Sequence, residues 1–163
     1  MNMKNLGRWV FALVVACLLA ACAFNRDVVF HSFSFDVSRD NQDAEVIDFR
    51  YGDSKIPVRA AEWAVKEGKT YQTTSYGGRM LRGQFLYVKW RIKSTGNVYE
   101  DTVDLRHRLP RDIEHNEVYF MVRGPQLLVY LISPEPRSPG MPAIGPSMYR
   151  SRKVTQLYPD ERK

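Results

Sequence analysis

Cysteine is nearly absent from this sequence of 163 residues. Its two cysteines, Cys17 and Cys22, both lie near the N-terminus, so residues 23–163 contain no thiol. Disulfide bonds, cysteine-based zinc sites and thiol catalysis are therefore excluded from that part of the chain.

The first eight residues lack acidic side chains, and the apolar run that follows them is short. Lys4 and Arg8 precede an uncharged segment at 9–21. A positive start, an apolar segment and small residues at its end are the parts of a secretory signal. A membrane-spanning helix needs about 20 apolar residues, which this segment does not reach. The sequence therefore predicts export through a cleaved signal.

The residues at the end of this segment carry a family resemblance. Leu19, Ala20, Ala21 and Cys22 resemble the lipobox of bacterial lipoproteins, in which a branched aliphatic residue and two small residues precede a cysteine. The resemblance covers residues 1–23. It implies that lipoprotein signal peptidase recognises Leu19, Ala20 and Ala21 and cleaves before Cys22. It also implies a diacylglyceryl thioether on Cys22 and a fatty acid such as palmitate on its amino group, and two or more chains anchor a protein stably.

The residues after Cys22 indicate which membrane is involved. In Gram-negative lipoproteins an aspartate at this place commonly signals retention in the inner membrane, and this chain has Ala23 and Phe24 there. The resemblance therefore implies the periplasmic face of the outer membrane, with that of the inner membrane as the alternative. The net charge of +6 includes Lys4 and Arg8 of the predicted signal. The mature chain is therefore expected to be only mildly basic, and we do not expect an exported protein of this kind to bind nucleic acid.

Alternating apolar and polar residues dominate the rest of the chain and predict β-strands. The predicted strands are 28–37, 44–51, 117–122, 127–132 and 148–158, together with a hairpin formed by 85–93 and 98–105. About seven short strands with at most one short helix, at 58–66, indicate a mainly β fold, either an antiparallel β-sandwich or an open barrel.

The predicted organisation is a single β domain at 28–158 between two short polar segments. A lipidated tether at 22–27 precedes the domain, and a polar tail at 159–163 follows it. Five prolines predict a surface loop without regular structure at 133–147. Gly77, Gly78 and Gly83 predict a second loop, which we expect to be mobile.

The three histidines do not form a recognisable site. His31 lies on the apolar side of the first strand, where we expect a hydrogen-bonded core or edge histidine. His107 and His115 lie in a charged connection at 105–116, but their spacing matches no zinc motif. The sequence therefore predicts neither a metal nor a cofactor.

No arrangement of nucleophiles or carboxylates predicts an enzyme. Ser75 precedes two glycines but lacks the Gly-x-Ser-x-Gly elbow of serine hydrolases. Glu100, Asp101 and Asp104 face a strand that carries Lys89, Arg91 and Lys93, so cross-strand ion pairs are the expected role of these carboxylates.

Recognition is the remaining interpretation. Tyr87, Arg91, Tyr99, Arg106 and Tyr119 are predicted to lie on the more polar face of the sheet, and Tyr and Arg are frequent in binding hot spots. These five residues are the predicted contacts for a protein partner in the periplasm.

Residues 86–132 carry a second resemblance. The run Leu-Tyr-Val-Lys-Trp-Arg, followed by Thr-Val-Asp-Leu and Val-Tyr-Phe, resembles small Gram-negative lipoproteins, some of which are immunity proteins against type VI secretion effectors. Our first hypothesis is a non-enzymatic envelope lipoprotein with a binding or structural role. An immunity or inhibitor protein is the alternative. A periplasmic hydrolase would require His107 or His115 to lie among carboxylates.

Overall fold

Eight β-strands account for about half of the part of the chain that the structure describes. In this computed structural model the described residues are 28–160, so the predicted signal, the tether and the last residues of the tail lie outside them. The elements are β1 (Val28–Asp36), α1 (Val37–Asp40), β2 (Ala44–Tyr51), α2 (Glu62–Lys66), β3 (Thr73–Leu81), β4 (Phe85–Ile92), β5 (Val98–Asp104), β6 (Glu117–Arg123), β7 (Gln126–Pro136), a 3-10 turn (Ser147–Tyr149) and β8 (Arg152–Tyr158).

The strands form two sheets. Sheet A has the order β3-β1-β6-β7-β8, and sheet B has the order β2-β4-β5. Strands β1 and β6 are parallel, whereas the other paired strands are antiparallel. The predicted mainly β fold is confirmed, and the arrangement is that of a β-sandwich. The described strands do not close into a barrel.

Aromatic side chains from both sheets fill the space between them. Phe33 of β1 stacks on Tyr51 of β2 with ring centroids 5.0 Å apart, and Trp90 of β4 is fully buried. His31 is also fully buried, which confirms its predicted place in the core. Its Nδ1 lies 3.0 Å from the carbonyl oxygen of Val29, which can only accept, so Nδ1 donates. Nε2 is then left to accept from the Tyr51 hydroxyl at 3.1 Å.

The end of the predicted Pro-rich loop and the 3-10 turn that follows it pack over β6, β7 and β8 on the outer face of sheet A. Beneath it lies a second apolar cluster: Tyr119, Met121, Leu128, Tyr130 and Ile132, with Tyr149 and Val154 packed against them. The Tyr149 hydroxyl donates to Glu117 at 2.8 Å, and a Cβ on Gly145 would lie 3.2 Å from the Tyr130 ring. The loop is therefore packed against the sheet.

The prediction that irregular structure begins at residue 133 is wrong by four residues. Strand β7 continues to Pro136, which pairs with Arg152 of β8 after an irregularity that follows Ile132. Prolines are tolerated at such irregularities because no ladder hydrogen bond is required of them there.

Two other local predictions are corrected. Gly77 and Gly78, predicted to lie in a mobile loop, belong to β3, where Gly77 pairs with Ser32 of β1, whereas Gly83 lies in the short connection between β3 and β4. A Cβ on Gly77 would lie 2.9 Å from the Ser32 hydroxyl, so glycine allows this close pairing. The helix predicted at 58–66 forms only as α2, because the Ala60 amide donates to Phe49 of β2 at 2.8 Å and residues 58–60 run beside that strand.

Candidate functional site

The connection between β2 and β3 forms an open groove on the side of the sandwich. It begins at Gly52, which has a φ of +58° and could not carry a Cβ without meeting Gly83 at 2.8 Å. The Tyr51 amide donates to Val58 at 3.0 Å, so the chain turns back along β2. These contacts fix the start of the connection against the edge of sheet B.

Helix α2 places Trp63 on the outside of this connection. Ala64 is buried against the domain, with 3% of its surface exposed, and the preceding residue of a helix points about 100° away from it. The Ala61 amide, just before the helix, donates to the Tyr71 hydroxyl at 3.0 Å. Ala64 therefore packs the short helix against the domain, and the indole of the adjacent Trp63 is left exposed to solvent.

The groove has a volume of about 760 Å³, within the roughly 300 to 1,000 Å³ of typical ligand sites. Its lining residues are Lys55, Ile56, Arg59, Ala60, Ala61, Glu62, Trp63 and Lys66. Trp63 is 62% exposed and Ile56 is 63% exposed. Two large apolar side chains thus line one open groove, a combination that is common at contact surfaces.

The charges around the groove are mostly positive. Arg59 is 3.3 Å from Glu62 in an ion pair, whereas Lys55 and Lys66 make no ion pair with any residue in the described range 28–160. Three cations and one carboxylate leave an excess of positive charge beside the exposed indole. An acidic ligand with an apolar side chain would complement this surface.

The outer face of sheet B carries two of the predicted contact residues. Tyr87 is half-buried, and its hydroxyl donates to Glu100 at 3.2 Å. Partial burial raises the pKa of Tyr87, and the neighbouring Glu100 carboxylate raises it further, to about 12. Arg91 pairs with Glu45 of β2 at 2.7 Å. Both side chains remain accessible, but their polar groups are already engaged with neighbours on the sheet.

Only part of the predicted cross-strand pairing forms. Lys89 lies 3.2 Å from Glu100, as predicted. Arg91 instead turns to Glu45, because β4 lies between β5 and β2 and the carboxylate on β2 is within its reach.

Three further predicted contacts have other surroundings. Tyr99 lies opposite Trp90 with ring centroids 5.9 Å apart, so it packs on the core side of sheet B and its predicted placement on the polar face is wrong. Arg106 is exposed in the connection after β5, where it holds the pKa of Asp104 well below its usual range through hydrogen bonds.

Tyr119 is the clearest correction. It is 1% exposed because Tyr149, in the 3-10 turn that follows the Pro-rich loop, packs on its ring with centroids 5.6 Å apart, and its hydroxyl donates to Asp40 at 2.6 Å. Burial, reinforced by Asp40, raises the pKa of Tyr119. A partner could not contact this side chain without displacing the loop.

The residues considered for catalysis are not brought together. His107 is exposed, and His115 packs on Phe30 with ring centroids 5.5 Å apart. Ser75 lies within β3 opposite Ser34. Among residues 28–160 there is no group of three or more His, Cys, Asp or Glu side chains that could hold a metal ion.

Sequence reasoning missed the groove, although one signal pointed to it. Within the predicted helix, Val58, Ala61 and Val65 follow the spacing of a buried helix side, and Trp63 falls outside that spacing. A large aromatic residue on the exposed side of a short helix is the pattern that could have identified the site.

Comparison with known proteins finds no matching family model, no matching curated protein and no matching solved structure. In the described part of the chain, no helix is long and apolar enough to cross a membrane. The class defined by the fold is therefore a mainly β, two-sheet domain with an exposed aromatic groove.

Proposed function

We propose that this chain is a lipid-anchored, non-enzymatic protein on the periplasmic face of the bacterial outer membrane, where its β domain binds a protein partner through the groove at Trp63. The lipobox at Leu19 to Cys22 supports the anchor. The groove supports the binding role.

The observation that carries the binding role is the shared exposure of Trp63 and Ile56. Each leaves more than half of its surface in water, and both line the same groove beside Lys55 and Lys66. Tryptophan dominates binding hot spots because its burial removes a large apolar area from water. The partner that fits is a protein segment with an apolar side chain for the groove and a carboxylate for Lys66.

The test begins with capture of the lipidated protein and its partners from detergent-solubilised envelopes, followed by identification and stoichiometry. The captured partner is then titrated against wild type, Trp63→Ala and Lys66→Glu. Loss of a hot-spot tryptophan costs about 2 kcal/mol or more, which is roughly a thirtyfold loss of affinity. Lys66→Glu should also weaken binding, and the loss of affinity should be larger at low salt than at high salt, because salt screens exposed charges.

Val98→Ala is the matched control. Val98 is 45% exposed and begins β5, away from the groove, so its removal should leave affinity unchanged. Equal affinity of wild type and Trp63→Ala would contradict the proposed binding site.

The identity of the partner decides between the two roles left open by the sequence. A single equimolar enzyme that loses activity in the complex would make this an immunity or inhibitor protein. Several envelope components, each losing affinity for Trp63→Ala, would make it a scaffold.

A further inference from the structure

The predicted lipid anchor constrains which end of the sandwich faces the membrane. Strand β1 begins at Val28, and the six residue steps from Cys22 to Val28 span at most about 22 Å. If Cys22 is lipidated, the start of β1 cannot lie farther than that from the bilayer surface. The end of β3 and the start of β4 lie at this same end, because Val28 pairs with Leu81.

This end of the domain exposes apolar side chains on the outer face of sheet A. Phe30 is 42% exposed and Leu81 is 43% exposed, although both belong to strands whose other face lies in the core. Arg79 pairs with Phe30 across β1 and β3, and the ring of His115 packs on Phe30. Two apolar side chains and a cation are thus grouped beside the first described residue.

The loop after β2 adds a second cation at the same place. A hollow of about 300 Å³ lies between the edge of β3 and residues 53–58, and Lys55, Arg79 and Leu81 are among its lining residues. Asp53 is the acidic residue of that lining. Apolar side chains flanked by a lysine and an arginine can bind at the boundary between anionic headgroups and acyl chains.

We propose that the surface formed by Phe30, Leu81, Lys55 and Arg79, the tether-end patch, seats on the anionic phospholipid bilayer that holds the lipid anchor. This inference rests on the lipidation of Cys22 in the proposed function. The patch orients the domain with the start of β1 and the end of β3 towards the membrane.

The test uses the lipidated full chain, in which an introduced cysteine carries the only free thiol. Leu81→Cys and Val98→Cys are labelled with an environment-sensitive fluorophore and reconstituted in vesicles of phosphatidylethanolamine and phosphatidylglycerol. The two positions are matched, with 43% and 45% exposure. Val98 pairs with Arg91 near the other end of β4, about 20 Å from Phe85. The quenching of the fluorophore by a lipid that carries a spin label close to its headgroup is measured at both positions.

We expect a blue-shifted probe and severalfold stronger quenching at position 81 than at position 98. Vesicles of phosphatidylcholine alone, or the added substitutions Lys55→Glu and Arg79→Glu, should reduce the difference, since the cations then lose their anionic partners. Equal quenching at the two positions, with the lipid mass present on Cys22, would overturn the tether-end patch and leave the anchor intact. A chain without lipid on Cys22 would overturn both.

Discussion

Replacement of Trp90 by alanine tests the assignment of the core. The indole is fully buried, its ring lies 5.9 Å from that of Tyr99, and its Nε1 donates to Gly124 at 2.8 Å. An aromatic side chain buries about 150 to 250 Å², worth about 4 to 6 kcal/mol at 25 cal/mol per Å². Because alanine retains Cβ and the neighbours relax in part, we expect the free energy of unfolding to fall by about 3 to 5 kcal/mol.

The assay is urea denaturation followed by circular dichroism, in which this loss lowers the midpoint by about 2 M. Trp90→Phe keeps most of the ring but loses the bond to Gly124, and should cost about 1 to 2 kcal/mol. Trp63→Ala is the control for the same chemical change at an exposed site, and should alter stability by no more than about 0.5 kcal/mol. Equal effects at the two tryptophans would refute the reasoning.

Three other perturbations test separate parts of the structure. Gly83→Ala would place a Cβ 2.4 Å from the buried Tyr51 ring and should cost about 1 to 3 kcal/mol in urea denaturation; unchanged stability would show that the ring can move freely. Burial lowers the pKa of His31 below 6.5 in the folded state. Below pH 6.5 the unfolded state therefore binds a proton on this residue more readily than the folded state does. The free energy of unfolding should thus be highest above pH 6.5, as far as His31 determines it, and should fall as the pH drops below that value. His31→Gln should flatten that part of the stability profile, and an identical slope would assign the loss to other groups. Tyr149→Phe removes the donor to Glu117 and should lower the free energy of unfolding by about 1 to 3 kcal/mol and expose the loop to proteolysis; a protected loop would contradict its attachment through this bond.

Local alternation was sufficient to predict seven of the eight described strands and many of the side chains they bury. His31, with apolar neighbours two residues away on each side, could be placed in the core because strand periodicity fixes which face a residue occupies. The β4–β5 hairpin could likewise be placed from its turn and its alternating arms.

The errors arose where long-range pairing decides the outcome. Gly77 and Gly78 indicate a turn when considered alone, but β1 supplies a pairing partner along the whole of β3. Alternation along β6 predicts an exposed Tyr119, because it cannot show that Tyr149, from later in the chain, packs on that face of the sheet. The β4–β5 hairpin alone predicts a partner for Arg91 on β5. Its actual partner lies on β2, and the position of β2 beside β4 follows from a strand order that local alternation cannot predict.

The most direct measurement for the central claim, the lipid anchor at Cys22, is the intact mass of the protein extracted from envelopes, compared with that of Cys22→Ala. We predict that the wild-type chain begins at Cys22 and carries the added mass of its acyl chains, whereas Cys22→Ala accumulates as an uncut precursor without lipid. A Cys22→Ala chain that is processed normally, or a wild-type chain without added mass, would contradict the account.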